Sequence, residues 1–129
     1  MSPSENAQDL FRKWERGNLM APDCPSRPVL QHLTSRWGAL VMIALAIGPH
    51  RFAQLRRRVG GISERMLAQT LDELEADGFV LRTAHPVVPP HVDYELTALG
   101  REAAEHVLGL TRWIEDALPR IMAGRQDAA

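Results

Sequence analysis

Apolar residues recur along this chain every three or four positions, then every second position, then every three or four again. Residues 5–18 carry Leu10, Phe11 and Trp14 among polar neighbours, enough for a short helix with a narrow apolar stripe. The stretch "APDCPSRP" (21–28) holds three prolines. Proline lacks an N–H and restricts the residue before it, so this stretch is irregular. Val29, Leu30, Leu33 and Trp37 then lead into "GALVMIALAIG" (38–48). This run reads as one or two buried helices stopped by Gly48 and Pro49.

The segment "RFAQLRRRV" (51–59) spaces Phe52, Leu55 and Val59 as one helical stripe. Its three consecutive arginines span about 200° of a helix, so most of them face solvent. Gly60 is placed to close that helix in the left-handed conformation. Ser63 is placed to cap the next helix, with Ile62 packing on Leu67 as a hydrophobic staple. Leu67, Leu71 and Leu74 form the buried stripe of that helix, Arg65, Ala68, Gln69 and Asp72 fall on the other side, and Gly78 ends it.

The period then drops to two. "FVLRT" (79–83) reads as a strand, and "HVDYELT" (91–97) alternates with Val92, Tyr94 and Leu96 on one face and His91, Asp93 and Glu95 on the other. The intervening "AHPVVPP" has three prolines and is a stiff connection. Thr97 can cap a last helix, whose apolar residues Leu99, Ala103, Val107, Leu110, Ile114, Leu118 and Ile121 make a seam longer than one small core requires.

The predicted order is helix, helix, tight turn, helix, β-ribbon, long helix. That order describes a mainly α fold with a small β-ribbon (α+β), a winged helix-turn-helix. Residues 1–23 read as an N-terminal extension contributing a helix to the dimer, 24–97 as the winged helix-turn-helix, 98–123 as the dimerisation helix and 124–129 as a flexible tail.

Composition narrows the partners. The 129 residues are 45% hydrophobic and 24% charged, which suits one folded domain. No apolar run approaches the ~20 residues that span a bilayer, and "MSPSENAQDLF" lacks the basic-then-apolar order of a secretory signal. A single cysteine fits a reducing compartment, so a cytoplasmic protein without membrane contact is expected. The formal net charge of −1 argues against wholesale coating of nucleic acid, but between Arg51 and Met66 five arginines face one acid, Glu64. Over a Debye length of about 8–10 Å such a face acts on its own.

A helix-turn-helix sets its second helix in the major groove while nearby groups hold the backbone. Arg65, Gln69, Ala68 and Asp72 are the candidates for base edges, since Arg suits guanine, Gln adenine, and Asp can accept from cytosine N4. Arg51, Arg56, Arg57, Arg58 and Ser63 are the candidates for phosphate, beside a helix N-terminus whose dipole favours anions. On the ribbon, Arg82, His85 and His91 could flank the minor groove. Leu10, Phe11, Trp14, Val107, Leu110, Ile114 and Leu118 are the candidate dimer contacts. The histidines lack a zinc-like pairing, so no metal is expected. Nor is a cofactor or an enzyme: no nucleophile–base pair, phosphate loop or HExxH helix is present. Trp37, Met42 and Phe52 could line an effector pocket, but at such spacing these residue types more often fill core.

On "CP" at 24–25, Trp37, "RFAQLRRRVGGISERMLAQTLDELEADGFVLR" (51–82) and "PVVPPHVDYELTALG" (86–100), the chain resembles the HxlR-type bacterial transcription regulators. The resemblance implies a MarR-like winged helix-turn-helix homodimer, paired through its terminal helices, with residues 63–77 as recognition helix and 79–97 as wing. It also implies a double-stranded DNA operator read as an inverted repeat, and repression as the usual outcome. The chain departs from that pattern at Thr70 and Asp72, where many relatives are basic, and at His91, where an arginine is common. Some relatives sense oxidants through a cysteine matching Cys24, which makes Cys24 a redox candidate and an oxidant or small-molecule effector an open option. A helix N-terminus and the nearby Arg27 would favour its thiolate, while a buried, inert cysteine is the plainer alternative. A second reading from another class also stands: a winged-helix protein-interaction module without DNA binding, suited by Asp72, Glu73, Glu75 and Asp77.

Overall fold

The computed structural model describes residues 7–9 and 19–128. Leu10, Phe11 and Trp14 lie outside the described residues. The chain divides into two compact units, 1–31 and 32–129. Among the described residues from 19 onward, five helices and three strands follow in order: α1 (Ser26–Thr34), α2 (Arg36–Ile47), β1 (His50–Arg51), α3 (Phe52–Arg58), α4 (Glu64–Ala76), β2 (Val80–His85), β3 (His91–Leu96) and α5 (Ala98–Ala128).

Within the second unit α2 is the central element, packed against α4, α5 and β3. It begins at Ser35, whose Oγ accepts from the Gly38 N–H at 3.1 Å, the side-chain cap expected for serine at this position. Only glycine fits at position 38: an added Cβ would meet the His32 carbonyl oxygen at 1.8 Å. Val41, Met42 and Leu45 of α2 meet the core with Leu55 of α3, Leu67, Leu71 and Leu74 of α4, and Val80 and Leu96 of the sheet, all at most 6% exposed. Each such side chain contributes roughly 1.5–3 kcal/mol by leaving water. Met42 is therefore core filling, not the lining of a pocket.

The helix-turn-helix is built as the pattern implied, with one shift. Ile62 and Leu67 are both buried, and Ser63 Oγ accepts from the Met66 N–H at 3.1 Å to start α4. The left-handed residue of the turn is Gly61, at φ 90°, and not Gly60. Val59, the last residue of the apolar stripe, caps α3, so the chain turns one residue later than a glycine closing the helix directly would give. At its other end α4 closes on Gly78, at φ 84°. The Gly78 N–H donates to the Glu75 carbonyl at 2.9 Å and the Phe79 N–H to the Leu74 carbonyl at 3.0 Å, the double bond of a Schellman cap.

The sheet has three strands, not two: β1, only two residues long, pairs with β3 and gives the order β1-β3-β2, all antiparallel. The pairing sets Val80 opposite Leu96, Arg82 opposite Tyr94 and His85 opposite His91. Val92, Tyr94 and Leu96 thus share one face, as the alternation requires.

Thr97 joins wing and last helix. Its hydroxyl donates to the Gly78 carbonyl and accepts from the Gly100 N–H at 3.0 Å, and its own N–H donates to the Phe79 carbonyl at 3.0 Å. The helix α5 runs on to Ala128, through Gly124, where the pattern implied a tail from 124. One glycine costs a helix interior only about 1 kcal/mol, and Arg125, Gln126 and Ala128 are compatible with continuing it. The apolar seam of α5 divides: Val107 is buried within the chain with neighbouring Ala104 and so is not a dimer contact, Leu118 is half-buried, and Leu110 and Ile114 are 54% and 39% exposed, with Trp113 beside them at 58%. No single helix among the described residues is long and apolar enough to cross a membrane.

Candidate nucleic-acid interface

The exposed side of α4 carries Arg65, Ala68, Gln69 and Asp72, as the three-to-four spacing of its leucines dictates. Thr70 is on the other side, buried at 5% among those leucines. Its lack of charge therefore belongs to packing, and of the two departures on this helix only Asp72 alters the outer face. Gln69 is not idle: its Nε2 donates to Glu73 Oε1 at 3.2 Å, one turn on.

The arginines around α3 are presented differently from one another. Arg51 caps the helix, its backbone N–H donating to Gln54 Oε1 at 2.8 Å, and its side chain is exposed. Arg56 donates to Glu64 at the first position of α4 across 2.8 Å, so the single acid of this stretch is paired. Arg57 is exposed, and among the described residues no ion pair engages it or Arg65. The Nε of Arg58 donates to His50 Nε2 at 3.0 Å. That contact requires a lone pair on Nε2, so His50 carries its hydrogen on Nδ1 and donates it to the Gly48 carbonyl at 2.7 Å. A buried His50 thereby fixes one guanidinium from behind, a link to β1 that the sequence pattern did not show. Arg57 and Arg58 with Gln54 and His50 line an open groove of about 590 Å³ that ends at Ile47 and Pro49.

Ser63 spends a lone pair of its hydroxyl on the helix cap and keeps its O–H free to donate. On the ribbon, Arg82 is exposed and lies on the face opposite His85 and His91, since residues paired or two apart share a face. Those two histidines stack, with ring centroids 4.6 Å apart, and Asp93 joins them. The sequence reading placed His85 and His91 on the wing but missed Asp93 as their partner. The signal was available: the histidines flank one loop symmetrically, and Asp93 falls on the His91 face of an alternating strand.

Cys24 precedes α1, buried at 4%. Its carbonyl accepts from the Arg27 N–H at 3.0 Å, and its N–H donates to Ala21 at 3.1 Å. The Arg27 guanidinium reaches the Met20 carbonyl at 3.5 Å, so its recorded bond is to a backbone oxygen and not to the thiol.

A tight left-handed turn, an outward polar face on the helix behind it, a cluster of guanidinium groups and a two-stranded wing are now placed together. Residues 32–122 match the family model described as the HxlR-like helix-turn-helix. The chain belongs to the HxlR family. The matched residues include α2, α3, α4, the wing and most of α5. Across 120 residues the chain is 55% identical to the HTH-type transcriptional regulator YtfH of Escherichia coli strain K12, covering 93% of this chain and 95% of that one. A solved structure of the transcriptional regulator YtfH from Salmonella typhimurium is 56% identical, with a TM-score of 0.80 over 85% of this chain and 98% of the other. The oxidised form of the redox regulator HypR is 38% identical, with a TM-score of 0.66 over 72% and 96%. As an HxlR-family protein, the chain is a helix-turn-helix transcriptional regulator, as the relatives it matches are named.

Proposed function

We propose that this protein is a cytoplasmic homodimer that binds an inverted-repeat operator through α4 and represses the genes it overlaps. The observation that carries the reading is the joint exposure of Arg65, Ala68 and Gln69 on α4 beside the exposed Arg57 of the preceding helix, in a chain otherwise near neutral. Arg65 and Gln69 take base edges, where a bidentate pair discriminates by about 1–3 kcal/mol. Arg51, Arg57, Arg58 and the Ser63 hydroxyl take phosphates, with Arg56 joining them when Glu64 releases it, and Arg82 takes the wing's side. Two copies face one duplex through the exposed Leu110, Trp113 and Ile114 of α5, about one helical turn apart.

Oxidant response through Cys24 draws support from HypR, named a redox regulator. Against it stand the burial of the thiol and the direction of Arg27, since reactive cysteines are partly exposed and beside a cation. Operator binding without an oxidant switch is the function these contacts favour. The interaction-module reading keeps one observation in its favour, the exposed Asp72 and Glu75 on α4.

Selection of bound fragments from genomic DNA, followed by footprinting, tests the proposal. A protected inverted repeat, bound with affinity that falls steeply with salt, is the expected result. Binding to no duplex at low salt overturns it and leaves the interaction module.

A further inference from the structure

We propose that the wing carries a site for a divalent transition-metal ion of the zinc class, formed by His85, His91 and Asp93. The fold brings these three together by register alone. His85 ends β2 directly opposite His91, which begins β3, and Asp93 is two residues along on the same face. One oxygen of Asp93 lies 2.9 Å from His85 Nε2 and 3.9 Å from His91 Nε2, and the three ligand atoms all fall within 4.8 Å of one another. Zinc bonds of about 2.0–2.2 Å in tetrahedral array hold donor atoms about 3.3 Å apart. The two carboxylate distances straddle that spacing, and rotation of the stacked imidazoles is what brings their Nε2 lone pairs onto one ion.

The donor chemistry selects the ion. Two imidazoles and one carboxylate suit zinc and its neighbours in the first transition row, and suit calcium or magnesium poorly, since these prefer all-oxygen shells. All three side chains are between 24% and 38% exposed. Water can therefore fill the remaining coordination, and the site exchanges its ion instead of locking it as a closed structural centre does. Without metal, His85 Nε2–H donates to Asp93. For the ion to bind, the proton on Nε2 passes to solvent and Nδ1 takes one up, so the imidazole offers its Nε2 lone pair and the net proton count is unchanged.

The site closes the base of the loop 86–90, whose prolines already stiffen it. On the regulator reading, to which this consequence belongs, occupancy adds two positive charges to the wing, on the face opposite Arg82. It would tighten the wing's hold on phosphate.

The test uses the untagged full-length chain, stripped with chelator. Titration with zinc, read by competition with a chromophoric chelator, and with cobalt, read by its visible absorption, is expected to give one ion per chain. His85→Ala, His91→Ala and Asp93→Asn should each weaken zinc by at least about 10-fold, the lower end of what loss of even an outer-shell partner costs. His106→Ala, on the exposed side of α5, should leave it unchanged. Zinc uptake absent from the parent chain, or equal in parent and Asp93→Asn, overturns the site. Asp93→Asn preserves size and hydrogen bonding, so misfolding of the wing is not at issue. A duplex titration with and without zinc then reads the consequence. Tighter binding by the parent and not by His91→Ala is expected, and equal affinities overturn the coupling while the metal titration still decides the site.

Discussion

Arg56 and Glu64 join the last turn of α3 to the first turn of α4 through a 2.8 Å hydrogen-bonded ion pair, with the side chains 47% and 70% exposed. At that exposure the pair contributes little to stability, about 0–1 kcal/mol. Its effect is on which cations remain for a phosphate. Glu64→Gln should leave the melting temperature nearly unchanged and tighten binding to every duplex, with the salt dependence steepening by up to about one unit. Affinity against salt on operator and random DNA measures this, and an unaltered slope would place Arg56 away from the backbone.

Arg65→Ala and Gln69→Ala are expected to cost about 1–3 kcal/mol on the selected operator and to relax base preference at one position each. Arg57→Ala should weaken all DNA alike and lower the salt slope by about one. Competition binding separates the two behaviours. Equal losses on operator and random DNA for Gln69→Ala would remove its base-reading role, leaving only its bond to Glu73.

Gly100→Ala places a Cβ 2.0 Å from the Phe79 carbonyl oxygen, where nothing flexible can yield. Overpacking of this kind costs typically 1–3 kcal/mol, and a thermal melt should fall by several degrees. Thr97→Val should be milder, losing the bonds to Gly78 and Gly100 but no space. A Gly100→Ala protein as stable as the parent would mean that α5 and the start of β2 separate easily.

Leu110→Asp combined with Ile114→Asp should yield a folded monomer that binds operator poorly, because both positions are exposed in the single chain. Val107→Asp should instead unfold the domain, since Val107 is buried within it. Sedimentation velocity with circular dichroism distinguishes the outcomes. A double variant that stays dimeric assigns the interface elsewhere.

Cys24 should react slowly with a thiol reagent in the native protein and fully once unfolded, as its burial at 4% requires. Diamide should leave operator binding unchanged in both the parent and Cys24→Ser. Rapid native labelling, with release of DNA by diamide in the parent alone, would restore the oxidant-sensing reading.

Much of this was legible from spacing. The leucines at 67, 71 and 74 fix which side of α4 faces out, and so put Arg65 and Gln69 on it. Ser35 carries a cap signal, serine before an apolar run, that the hydrophobic pattern alone leaves unused. Gly60 and Gly61 are equivalent in pattern, and the choice between them depends on where Val59 is anchored. β1 is invisible because two residues carry no period. Val107 and Leu110 looked alike as members of one seam, and only α2 lying against α5 separates the buried from the exposed.

Local chemistry is what the chain determines unaided: where helices begin and end, which side of each is apolar, and the period-two strands of the wing. These depend on neighbours within about four positions, which the order of residues contains. The pairing of Arg56 with Glu64, the His50 ring bonded to Arg58, and the meeting of His85, His91 and Asp93 depend on the register of strands and the angle between helices. Those are set by the packing of the whole core, and no local stretch holds that information.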